Sequence, residues 1–142
     1  IGRHLLNGRL LATEALVDAD AVIGVRPPGG GVEFGETWVQ ALIREFREEL
    51  DVTIRIESAP IVMENIYTHE GAVGHEIVFA AQVSLPPGWH DDRNTLRLVE
   101  DNGEEHTARW FDLADLDTGT VALFPEGLKA RLVQSAPGDQ PR

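Results

Sequence analysis

The 142-residue chain contains no cysteine. That removes disulfides, thiolate zinc sites and thiol nucleophiles together, and it fits a reducing compartment, so a cytoplasmic location is expected. No apolar run approaches the roughly 20 residues needed to cross a bilayer, and no membrane partner is expected. The first residues lack the basic-then-apolar layout of a secretory leader; because Ile1 is not an initiator methionine, the start says little about targeting. Positive charge is scarce: 12 Lys and Arg stand against 24 Asp and Glu, for a net charge of −12. Long nucleic acids, which are bound through basic patches, are not expected as partners. A small phosphate-bearing ligand is admissible if metal ions sit between its charges and the acids.

The composition, 42% hydrophobic and 25% charged, is that of a folded soluble protein. The length suits one ordinary domain over residues 1–134, with 135–142 ("SAPGDQPR") as a fraying tail. Strands are expected over Gly8 to Val17 and Asp20 to Val25, followed by the loop "RPPGGGVEFGE" from Arg26 to Glu36. A helix is expected from Glu36 to Leu50, which holds no Gly or Pro. Extended chain interrupted at Pro60 then leads through a hairpin at "EGAVG" into a strand over His75 to Leu85. Pro86 to Thr107 reads mostly as loop, Ala108 to Leu113 as a short strand, and Pro125 to Val133 as a closing helix. This order makes the chain an α/β (α+β) fold.

The chemistry concentrates in "ALIREFREELDV". At about 100° per residue, Val39, Leu42, Ile43, Phe46 and Leu50 share one arc, and Glu45, Glu48 and Glu49 fall in a separate arc beside it. Like charges at this spacing repel by a few tenths of a kcal/mol per pair, which Arg44 and Arg47 partly relieve. Two readings compete for such a face: solvated charge, or a cation site. Clustered carboxylate oxygens suit hard divalent ions, whereas zinc lacks its His and Cys ligands here. The loop is not a lysine-bearing phosphate cradle, because no Gly-Lys-Ser/Thr follows its glycines.

The loop and helix together decide between these readings. Gly30, five residues, Glu36, seven residues, then Arg44, Glu45, Phe46, Glu48, Glu49 and Val52 resemble the box of the Nudix hydrolase family, a fixed-spacing and highly specific pattern. Asp51 departs from it, standing where the family carries its last glycine. That position lies just past the helix end, where left-handed backbone is common, and Asp tolerates it better than most residues at a cost of about 1 kcal/mol or less. The flanking "RWFDL" and "FPEGLK" agree with the resemblance.

The resemblance implies a Nudix-type α/β/α sandwich with a mixed β-sheet. It also implies cleavage of a diphosphate link in a nucleoside diphosphate joined to another group, with Mg or Mn as cofactor. By the same resemblance Glu45, Glu48 and Glu49 with the Gly29 carbonyl are metal ligands, Glu45 alternatively taking the proton of the attacking water. Arg44 orients these carboxylates and Glu36 braces the loop against the helix. An acid from outside the box is expected to assist, with Glu104 and Glu105, beside His106, as candidates and Glu105 preferred. Glu64 and Glu76 read as structural. Tyr67, 15 residues beyond Val52, and Arg26 are candidates for substrate contact, and a homodimer is a further implication. The competing reading is a non-catalytic Nudix-like module that binds a nucleotide or protein.

Overall fold

A computed structural model of the chain describes residues 2–3, 5–6, 9–16, 23–89, 95–99 and 105–134. In chain order the strands are β1 (Gly2–Arg3), β2 (Leu5–Leu6), β3 (Arg9–Leu16) and β4 (Ile23–Arg26), followed by helix α1 (Trp38–Leu50). Then come β5 (Arg55–Ile56), β6 (Ile61–His69), β7 (Ala72–Ser84), β8 (Thr95–Val99) and β9 (Glu105–Asp112). A 3-10 turn (Leu113–Asp115), β10 (Val121–Leu123) and helix α2 (Leu128–Gln134) follow. One sheet runs β10-β4-β3-β9-β8, with β10 parallel to β4 and the other pairs antiparallel; β2 also pairs with β3. The other centres on β7, which pairs with β1 in parallel and with β5 and β6 in antiparallel fashion.

Period-two alternation distributes these strands between two apolar layers. Leu10 and Ala12 of β3, Val25 of β4 and Ala80 of β7 join Leu128 and Leu132 of α2 in one buried cluster. Ala81 and Val83 turn to the opposite side, against Leu42 and Phe46 of α1. Leu11 faces that side too, packing with Ala108, Leu50, Trp89 and Trp110. The sheets therefore lie between α1 and α2, the α/β/α arrangement with mixed pairing. Phe46 is fully buried, and its truncation to alanine would cost about 3–5 kcal/mol.

Helix α1 begins where a cap allows it. The Thr37 hydroxyl accepts the Gln40 N–H at 3.1 Å, while the Thr37 N–H donates to Gln40 Oε1 at 2.9 Å. This reciprocal pair satisfies two of the donors a helix start leaves open. The helix ends at Asp51, whose φ of 51° and ψ of 44° are left-handed and whose N–H returns to the Arg47 carbonyl at 3.1 Å. Asp51 thus performs the turn expected of a glycine.

Several sequence expectations need correction. The stretch read as loop carries β8, and β9 starts at Glu105 and not at Ala108. The alternation of "TLRLV" is short, and pairing with β9, not its own composition, makes it a strand. The hairpin turn is tighter than "EGAVG": only Glu70 and Gly71 lie outside the strands, both at positive φ (49° and 80°), which matches the twist of the flanking strands. Val39, assigned to the apolar face, is 37% exposed, although its neighbour Trp38 stacks on Phe79 and Ala41 in the same turn is buried. Among the described residues, no helix is long and apolar enough to cross a membrane.

Candidate active site

After Arg26 ends β4, Pro27 and Pro28 are buried and fix the departure of the glycine loop. The loop closes as a tight turn in which the Glu36 N–H donates to the Glu33 carbonyl at 3.0 Å. The Glu33 N–H in return donates to Glu36 Oε2 at 3.0 Å. Glu36 is also the main partner of Arg44, which donates from Nε to Oε1 at 2.7 Å and from Nη2 to Oε2 at 3.0 Å. This two-point pairing fixes the guanidinium plane. Its remaining donors reach Glu45 Oε1 at 2.9 Å, Glu48 Oε2 at 3.2 Å and the Gly31 carbonyl at 3.0 Å. One guanidinium thus ties three carboxylates and the loop backbone together.

The electrostatics follow from this geometry. Hydrogen bonds from Arg44, then that from the Glu33 N–H, pull the Glu36 carboxyl from 4.5 to about 2 against the opposing effect of burial. The hydrogen bond to Glu36 in turn raises the pKa of Arg44, so its charge is permanent. Glu45 is held from a second side. A β-carbon on Gly30 would stand 2.2 Å from Glu45 Oε1 and 2.3 Å from its Cδ, so the carboxylate lies flat against the glycine. Only a residue without a side chain permits that approach.

The structure therefore gathers Arg44, Glu45 and Glu48 with Glu36, and sets half-buried Glu49 on the same helix and half-buried Gly29 at the loop entrance. Among the described residues, no three His, Asp or Glu side chains form a group that could hold a metal ion, and Glu45 and Glu48 are turned onto Arg44. The donor chemistry nonetheless fits a hard divalent ion: Glu45, Glu48 and Glu49 offer only oxygen atoms from one helix.

The remaining candidates are dispersed. Arg26 pairs with Thr13, next but one to Leu11 on β3, and so stands on the face that α1 covers. Tyr67 lies across Gly74, where a β-carbon would be 2.2 Å from its ring, on the ribbon face opposite Phe79. Glu105 opposes Val99 at the start of β9; its side chain and that of His106, like the whole of Glu104, lie outside the described residues. Glu76 accepts from Asn65 at 2.9 Å and Glu64 pairs with His75 at 3.5 Å, in keeping with structural roles. Sequence reasoning missed the Gly31 carbonyl and the Glu33 N–H as parts of the site. The only signal for them was the spacing of "EFGE", in which the second acid reaches back to the first.

Comparison with known proteins bears directly on this arrangement. The NUDIX domain profile matches residues 6–132. The chain is similar to the E. coli ORF135 protein, known from a solution structure, with a TM-score of 0.57 and 20% identity over 97% of this chain and 91% of that one. It is also similar to a NUDIX hydrolase from Nitrosomonas europaea, with a TM-score of 0.49 and 22% identity over 80% and 70% of the two chains. No curated protein matches. Because the profile spans nearly the whole chain, the protein belongs to the Nudix family and is a hydrolase of that general kind.

Proposed function

We propose that the protein is a Mg- or Mn-dependent pyrophosphohydrolase acting on a small molecule, a nucleoside diphosphate joined to a further group. The observation that carries this reading is the convergence of Glu36, Glu45 and Glu48 on Arg44, with Glu45 seated on Gly30. Glu45, Glu48, Glu49 and the Gly29 carbonyl would hold the metal. The bound ion would neutralise the diphosphate and lower the pKa of the attacking water. Water oxygen bonds to one phosphorus as the bridging P–O bond breaks, and the proton passes to a carboxylate, Glu45 or Glu105. Arg44 fixes the orientation of Glu45, and Glu36 fixes that of Arg44. Arg26 and Tyr67 are proposed to contact the substrate, Arg26 through its charge and Tyr67 through its ring.

The test is a panel of nucleoside diphosphate derivatives, including nucleotide sugars, dinucleoside polyphosphates and oxidised nucleoside triphosphates, incubated with Mg at alkaline pH. At least one is hydrolysed, and Glu49→Gln lowers that rate by about 100-fold or more, the scale expected when a misplaced group disrupts the reacting geometry. Hydrolysis of none would sink the proposal and favour a binding module, whereas an undiminished rate in the variant would overturn the metal-ligand role given to Glu49.

A further inference from the structure

The arch between Gly31 and Glu36 is fastened at both ends to one nitrogen atom. Arg44 Nη2 donates to the Gly31 carbonyl and to Glu36 Oε2, each at 3.0 Å. Within the arch the Glu36 N–H closes on the Glu33 carbonyl, with Gly35 third in the turn at φ 84°, the pattern of a type II turn. Phe34 takes the second place, and its ring is fully exposed. Neither the turn nor the fold accounts for a phenylalanine there. That place favours proline, and a fully exposed ring adds nothing to the packing of the described residues. The gain from covering a phenylalanine, among the largest of any side chain, is left for a ligand to realise.

The hydrogen bonds of the arch attach this ring to the catalytic acids. The Glu33 N–H and Arg44 Nη2 share Glu36 Oε2, each at 3.0 Å, and Arg44 Nη1 reaches Glu45 Oε1 at 2.9 Å. Phe34 follows Glu33, so a few hydrogen-bond lengths separate it from a proposed metal ligand, a gap that a nucleoside diphosphate can bridge. The tethers restrain the turn in advance, and a ligand that docks there loses little binding energy to ordering it. Charge decides which part of the ligand comes to the ring. Exposed Glu33 and half-buried Glu36 stand on either side of Phe34 in the turn and repel phosphate. A planar, uncharged group meets the aromatic face without that penalty. In a nucleoside diphosphate that group is the base, and every base has a face on which to stack.

We infer that Phe34 is the residue on which the nucleobase of the substrate stacks. The inference rests on the reading of the protein as a nucleotide pyrophosphohydrolase and adds a specificity residue to it. The test is calorimetric titration of ADP, GDP, CDP and UDP, each with Mg, into wild type, Phe34→Ala and Phe34→Trp. Inorganic pyrophosphate serves as the ligand without a base. Phe34→Ala should weaken the nucleoside diphosphates about tenfold and leave pyrophosphate unchanged, while Phe34→Trp keeps the wild-type affinity. The melting temperature should not move, because the ring is fully exposed. With the panel member that is hydrolysed, Phe34→Ala should raise KM about tenfold at constant kcat. No binding of any nucleoside diphosphate, equal affinities in wild type and Phe34→Ala, or a loss that pyrophosphate shares overturns the inference, even where the panel is hydrolysed. Hydrolysis of no panel member, with the tenfold loss of affinity still present, overturns the hydrolytic reading and leaves Phe34 as a nucleobase contact.

Discussion

Replacing Gly30 by alanine isolates the contact that seats Glu45. The added methyl carbon would stand 2.2 Å from Oε1, 2.3 Å from Cδ and 2.7 Å from Oε2, whereas ordinary contact begins at 3.4 Å. The carboxylate must withdraw by the difference, about 1.2 Å. Because it is the end of a flexible side chain, the fold absorbs the shift. Losing the hydrogen bond from Arg44 costs about 1 kcal/mol, which lowers the melting temperature by roughly 3 °C for a chain of this length. Chemistry is less tolerant: a reacting group misplaced by about 1 Å loses on the order of 100-fold in rate. Gly30→Ala should therefore lower kcat about 100-fold with KM little changed. Phosphate release from the preferred member of the substrate panel gives the first quantity, and circular dichroism melts give the second. A wild-type kcat would refute the role given to the seat of Glu45. A melting loss above about 10 °C would instead make Gly30 a folding residue.

Thr37→Ala removes the cap of α1 and should destabilise the protein by about 1 kcal/mol in urea denaturation; an unchanged midpoint would mean the helix start is held by Trp38 and Phe79 instead. Asp51→Gly relieves a side chain at φ 51° and should stabilise by about 0.5–1 kcal/mol in the same assay, since glycine adopts that conformation without steric cost. Glu36→Gln tests the carboxyl lowered from 4.5 to about 2. A folded-state pKa below the unfolded one gives stability that is present above pH 4.5 and lost as pH falls towards 2. The melting difference between wild type and Glu36→Gln should accordingly be full at pH 7 and shrink steadily below pH 4.5; a difference that grows on acidification contradicts the assignment.

The parts of the molecule governed by local spacing were legible in the sequence. Thr37, Gln40 and an uninterrupted run to Leu50 are a helix with its cap, and the same run carries Arg44, Glu45, Glu48 and Glu49 at fixed intervals. Asp51 at the helix end was readable because few residues other than glycine tolerate left-handed backbone. What depended on distant partners was not legible. Strand β8 is made by β9, and the 37% exposure of Val39 is fixed by the tertiary packing around α1 and not by its helical period. The seat of Glu45 on Gly30 joins residues on different elements, and no periodicity reports it. Tyr67 reads in the sequence as a candidate for substrate contact, and its glycine partner across the strand pair is visible only once the register is known.

The cluster around Arg44 has a consequence for the order in which the chain assembles. Its ties span 13 residues at most, from Arg44 to Gly31, whereas the Arg109–Glu14 bond across β3 and β9 spans 95. Closing the longer loop costs roughly 2 kcal/mol more in chain entropy. The reactive loop and its helix can therefore take up their mutual geometry before the large sheet has found its register. Sequence changes that weaken that sheet act on how long the folded protein lasts, and much less on how the carboxylates are arranged while it does.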